Sequence, residues 1–152
     1  MKKITKKELT AFLRKHKLWH EGKDGGERAD LSGADLSGAK NIKLPIACPE
    51  EGEFIGFKKV RGELIVKLKI TEDAKRCSAS GRKCRCSKAV VLSITNKDGS
   101  ESGMTEANSK HDANFVYKVG DIVEVKDFCD DRWMECSEGI HFFITRKEAE
   151  DY

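Results

Sequence analysis

Three groups of side chains in this sequence have the types and spacing to do chemistry. The first is the basic segment from Lys75 to Lys88. It carries Lys75, Arg76, Arg82, Lys83, Arg85 and Lys88, with no acidic residue between Asp73 and Asp98. Ser78-Ala79-Ser80-Gly81 stands at its centre. Small residues let backbone N–H groups converge on an anion, and neighbouring Arg and Lys supply charge and forked donors. Lys75, Arg76, Ser78, Ser80, Gly81, Arg82, Lys83 and Arg85 therefore form a candidate anion site, for a phosphate or a nucleotide. The Gly-x4-Gly-Lys-Ser/Thr spacing of a P-loop is missing. No aromatic residues interleave these cations, so stacking of nucleic-acid bases is unsupported.

The second group is a cysteine set. Of six cysteines, Cys77, Cys84 and Cys86 lie together as Cys-x6-Cys-x-Cys. Structural zinc sites favour paired Cys-x2-4-Cys knuckles. A zinc ion here needs a fourth ligand from Cys129, Cys136 or His141. The plainer reading is a set of thiols acting as small hydrophobes, and no metal or other cofactor is assigned. The third group is Cys136 and His141, five residues apart in Glu135-Cys136-Ser137-Glu138-Gly139-Ile140-His141. A thiolate and an imidazole are the minimum for nucleophilic catalysis. These two are the catalytic candidates, against the plainer reading of a turn entering a core strand. His111, in a polar stretch, is a further candidate base.

The elements that must position these groups are partly legible. Thr5 with Glu8, then Leu9, Phe12, Leu13, His16, Trp19 and His20, make a capping box followed by one apolar stripe, which predicts a helix over 5–20. From residue 50 the pattern turns to strands. Phe54–Phe57 and Leu64–Ile70 flank a turn at Arg61-Gly62, and Val66, Leu68 and Ile70 alternate with Lys67 and Lys69. Ala89–Ile94 is a third strand. Residues 100–114 are polar and read as a short helix or a loop. Phe115–Tyr117 and Ile122–Val125 read as a hairpin, 139–145 as a last strand, and Thr145 with Glu148 as the start of a short helix. The fold class is α+β: an N-terminal amphipathic helix, a vestigial repeat coil, a mainly antiparallel β domain and a short C-terminal helix. Residues 1–49 carry the helix, the repeat and a linker holding both prolines; residues 50–152 carry the β-rich domain.

A length of 152 residues, 38% hydrophobic and 36% charged, suits one modest core under a charged surface. The net charge of +3 rules out a bulk polycation. No apolar run approaches a membrane span, and no apolar signal segment follows the Lys-rich start. Irregular cysteine spacing without a signal segment points to a reducing cytoplasm.

Residues 29–38 repeat Ala-Asp-Leu-Ser-Gly twice, and a third register opens at Ala39. A period of five fits neither helix nor strand, but it fits a coil that turns a corner every five residues. The string resembles the pentapeptide-repeat family. The run from His16 to Gly22, with Gly26-Glu27-Arg28-Ala29-Asp30-Leu31, resembles the entry to such proteins in bacteriophages and prophages. The remainder, through Cys84-Arg85-Cys86, Tyr117-Lys118-Val119-Gly120-Asp121 and 135–143, is similar to a domain of unknown function that follows such repeats. The resemblance implies a phage-type accessory protein and carries no catalytic residues over. Two and a half units are too few for a free-standing solenoid.

Together these features favour a binding module that sequesters or blocks an anionic, nucleotide-like ligand or a host protein, as a counter to host defence. A Cys136–His141 enzyme and a nucleic-acid binder are the rivals. Exposed edges of a thin repeat lean the reading toward a homo-oligomer.

Overall fold

The structure is a computed structural model and describes residues 5–29, 46–79, 81–132, 134 and 136–152. The five-residue repeat beyond Ala29 and the loop residue Ser80 lie outside the described residues. The chain divides into two compact units, one up to Pro45 and one from Ile46 to Tyr152.

In the first unit, helix α1 spans Lys6–His20. Thr5 caps it as its spacing to Glu8 predicts: the hydroxyl accepts from the Glu8 N–H, and the Glu8 carboxylate accepts from the Thr5 N–H at 2.9 Å. Of the apolar stripe, His16 is the residue buried outright. Its ring stacks on Trp19, and its Nδ1 accepts the Ala29 N–H at 3.2 Å. That bond assigns the ring proton to Nε2 when the imidazole is neutral.

The second unit is mostly β. Strands β1 (Phe54–Lys59), β2 (Ile65–Ile70), β3 (Arg76–Ser78), β4 (Cys84–Cys86), β5 (Lys88–Thr95), β6 (Glu106–Asn108), β7 (Val116–Lys118), β8 (Ile122–Glu124) and β9 (Ile140–Phe142) precede helix α2 (Arg146–Asp151). All pairings among these strands are antiparallel. One sheet runs β1-β2-β5-β8, a second β3-β4-β9, and β6 pairs with β7. The first two sheets are joined twice. Ser87 alone separates β4 from β5, so one nearly continuous strand serves both. Phe57 and Phe143 exchange backbone hydrogen bonds at 2.8 Å in each direction, tying β1 to the end of β9. Pairing therefore runs in a ring, β1 to β2 to β5, through Ser87 into β4, then β9 and back to β1. A strand that switches sheets makes such a corner possible.

Alternation fills the ring. Val66, Leu68 and Ile70 of β2 are sealed from solvent, as are Val91 of β5 and Phe142 of β9. Gly56 leaves room for the Phe142 ring, since a Cβ there would stand 2.6 Å from Phe142 Cδ2. Register slips by one between Lys67 and Leu68, where Ser93 and Val91 are their partners. The extra residue is Leu92, and this bulge explains why so apolar a side chain stays 39% exposed.

Of the two alternatives for residues 100–114, the loop forms, with the three-residue strand β6 inside it. The next expectation is corrected. The expected hairpin from Phe115 to Val125 does not form: β7 pairs back with β6, setting Tyr117 opposite Ala107, while β8 pairs with β5. Burial decides the outcome. Tyr117 goes into the core from one pair, and Val123 from the other. Thr145 and Glu148 do form a capping box at α2.

Candidate functional site

The predicted basic loop is not a single patch. Strand β3 and the turns around it consume Arg76, whose guanidinium donates to the carbonyls of Ala74, Gly52, Thr71 and Glu72 at 2.8–3.1 Å and lies over the Phe54 ring. Arg85 is 2% exposed and donates to the Asp131 and Glu138 carbonyls at 2.8 and 3.2 Å. Arg82 pairs with Glu148 at 2.5 Å, and Lys75 with Asp130 at 3.5 Å. The Ser78 hydroxyl is buried and accepts the Ala47 N–H at 2.7 Å. Arg76, Arg85 and Ser78 thus act as internal struts. Lys83 turns the other way, with its Nζ 3.8 Å from Cys136 Sγ and 5.6 Å from the centre of the Tyr152 ring.

The cysteines do not converge either. On β4, Cys84 and Cys86 share the core face, while Cys77 stands opposite Arg85 and so takes the other face. Burial holds the Cys86 thiol up at about 12. Cys84 is likewise raised, by its hydrogen bond with Cys48 and by burial. Such thiols stay protonated and unreactive at neutral pH. Among the described residues no group of three or more His, Cys, Asp or Glu is arranged to hold a metal ion.

A cleft of about 420 Å³ lies where Lys58 of β1 and the turn entering β9 meet the segment from Ser109 to Tyr117 and the end of β8. Phe115, Tyr117, Ile140 and Lys58 line it, together with both catalytic candidates, Cys136 and His141. Exposed carboxylates of Asp112, Glu124 and Glu138 lie on its rim. Phe115 and Tyr117 pack against each other at 5.2 Å and offer an aromatic wall. A small adjoining recess is lined by Lys58, Lys83, Lys110, His111 and His141.

Sequence reasoning missed the central residue, Lys58. It lies on β1 between Gly56 and Val60, on the face that alternation reserves for core side chains. It is 8% exposed. Its Nζ donates to the His141 carbonyl at 3.1 Å and sits 5.9 Å from the centre of the Tyr117 ring. Among the described residues no carboxylate pairs with it. Burial, with Lys83 adding to it, pulls its pKa down to about 8. The signal that could have found it is an interrupted pattern: a lysine where Phe54-x-Gly56-x-x-x-Val60 asks for an apolar residue.

His141 and Cys136 share the cleft without forming a dyad. Nε2 of His141 lies 2.9 Å from the Ser137 carbonyl, which fixes the proton of the neutral ring on Nε2. Burial lowers its pKa to about 4, with Lys58, Lys83 and Arg85 assisting. The imidazole is neutral at physiological pH. No hydrogen bond joins it to Cys136 among the described residues. The thiol's partner is Lys83. Gly139 has φ +153°, and a Cβ there would press on Arg85 Cβ at 3.2 Å, so the turn entering β9 holds both the strut and the cleft wall.

The arrangement sets the buried ammonium of Lys58, with Lys83 and Lys110 in the adjoining recess, beside the half-buried ring of Phe115, with Asp112, Glu124 and Glu138 on the same rim. Among the described residues no helix is long and apolar enough to cross a membrane. No curated protein and no solved structure matches the sequence. A family model does match, over residues 44–149, which takes in the whole strand ring and most of α2. On that match, the chain belongs to the DUF5758 family, a family of unknown function.

Proposed function

We propose that the domain is a binding module for a small anionic ligand with a planar part, of the nucleotide class, held in the cleft beside Lys58. One observation carries the reading: a lysine buried at a cleft wall that has, among the described residues, a single carbonyl as hydrogen-bond acceptor and no carboxylate paired with it. Burying an ammonium costs several kcal/mol unless something compensates it. A bound anion supplies that compensation. Lys83 and Lys110, also without ion pairs among the described residues, extend the positive field along the recess. The aromatic pair accounts for the flat portion of the ligand.

In this reading the protein holds its ligand and does not turn it over. The resemblance to phage accessory proteins supports sequestration of a host nucleotide signal. The thiol enzyme is less supported, because the Ser137 carbonyl engages His141 and Lys83 approaches Cys136.

Calorimetry with AMP and with inorganic phosphate tests the proposal. AMP is expected to bind in the micromolar to millimolar range. Lys58→Met and Lys83→Glu each weaken it about tenfold or more, about 1.4 kcal/mol. Lys75→Glu, at an exposed pair outside the cleft, leaves it within about twofold. No binding heat from either probe at millimolar concentration removes the anion reading.

A further inference from the structure

The position of Lys58 fits more than charge attraction. Its amine nitrogen is held on a rigid strand, by one hydrogen bond, in a cleft wide enough for a small molecule. The carboxylates of Asp112, Glu124 and Glu138 stand on the rim of the same cleft, but among the described residues none pairs with that nitrogen. Lys83 adds a positive field beside it. Such a nitrogen has the surroundings of a nucleophile.

We propose that Lys58 is a covalent anchor, whose amine condenses with the aldehyde or ketone carbonyl of an anionic ligand seated in the cleft to give an imine. The proposal rests on the anion-binding reading of the same site. The nitrogen lone pair forms the C–N bond, and the carbonyl oxygen departs as water with both amine hydrogens. Nothing is oxidised or reduced, and hydrolysis reverses the step. The condensation needs a neutral amine. With a pKa near 8, about a quarter of Lys58 is neutral at pH 7.5, against about one in a thousand for an exposed lysine. The imine also resolves the burial cost, because it replaces an ammonium in an apolar wall by a ligand bond while Lys83 and Lys110 remain to hold the anionic end.

Pyridoxal 5′-phosphate is a suitable probe, since it joins an aldehyde, a phosphate and a flat ring. The full chain is incubated with it at pH 7.5, reduced with cyanoborohydride, digested and mapped by mass spectrometry. The adduct at Lys58 is expected to exceed that at the exposed Lys67 and Lys118 about tenfold or more. Excess inorganic phosphate lowers it. Lys58→Arg keeps the charge and, with an unchanged circular-dichroism spectrum, carries no adduct at position 58 and no compensating increase elsewhere. Labelling of Lys58 no stronger than that of Lys67 overturns the imine. Pyridoxine 5′-phosphate, which lacks the carbonyl, then separates the two ideas. If it binds and Lys58→Met weakens it, the anion site stands without the covalent step; if it does not bind, both are withdrawn.

Discussion

The Nε of Arg82 donates to Oε1 of Glu148 at 2.5 Å, and that one pair fastens the loop between β3 and β4 to the first turn of α2. Glu148 also accepts from the Thr145 N–H and hydroxyl at 3.0 and 2.9 Å. Burial alone would raise the Glu148 carboxyl, but Arg82 and the Thr145 bonds win and hold it below the usual range. Both side chains are partly exposed, at 32% and 24%. A urea-unfolding double-mutant cycle with Arg82→Ala and Glu148→Ala is expected to give a coupling of about 0.5–1.5 kcal/mol. Glu148→Ala alone costs more than Arg82→Ala, because it also removes a helix cap. Equal single costs would mean that the cap contributes nothing.

Lys58→Met is expected to raise stability while weakening ligand binding about tenfold or more. At neutral pH the folded protein holds a largely protonated lysine whose pKa burial has lowered, so the charge costs stability. Methionine of similar length removes that cost, for a gain of about 1–3 kcal/mol in chemical denaturation. A loss of stability would show that the bond to the His141 carbonyl outweighs desolvation.

Gly56→Ala is expected to destabilise by about 1–3 kcal/mol. The added methyl would stand 2.6 Å from Phe142 Cδ2 and 3.0 Å from Ile70 Cδ1, and both neighbours are fully buried. Thermal melts of the variant and the parent measure it. A further Phe142→Leu change should recover part of the loss.

The pH profile carries the signature of His141. Its folded pKa lies near 4, below the ordinary value near 6.5. Between those values the unfolded chain takes up a proton that the folded chain refuses. Stability from this ring is therefore complete above about pH 6.5 and falls as pH drops toward 4. Lys58, Lys83 and Arg85 are the charges that act on the ring. After allowance for solvent access, the loss is roughly 1–2 kcal/mol. In His141→Gln the Tm should decline less over that interval than in the parent.

Thiol titration with Ellman's reagent should count two accessible cysteines in the native protein. Cys136 is exposed and Cys129 half-buried, whereas Cys48, Cys77, Cys84 and Cys86 are buried. The remaining four react on denaturation, and early reaction of Cys84 would contradict the packing of β4.

Local signals were the readable ones. Thr5 with Glu8 and Thr145 with Glu148 are three residues apart, and each pair forms its capping box. Val66, Leu68 and Ile70 alternate, and a strand follows. What escaped the sequence depends on partners far along the chain. Tyr117 could join β8 or β6, and only the shape of the shared core selects Ala107. Arg76 and Arg85 look like a binding patch until carbonyls 24 and 46 residues away claim their guanidinium groups. Cys136 and His141 are readable as a close Cys–His pair, but the cleft they line takes its buried charge from a lysine on β1, which the sequence marks only by a break in alternation.

The mutual backbone bonds of Phe57 and Phe143 bring Lys58, one residue after Phe57, to the carbonyl of His141, two residues before Phe143, across 83 positions of chain. Among the described residues that line the pocket, Lys58 alone comes from β1 and the rest lie between Ser109 and His141, so the buried ammonium reaches the pocket only across that seam. A guest that engages Lys58 acts as a rivet across the seam, stabilising the fold by RT ln(1 + L/Kd) at free concentration L, so the melting point climbs with the logarithm of its concentration once that exceeds the dissociation constant.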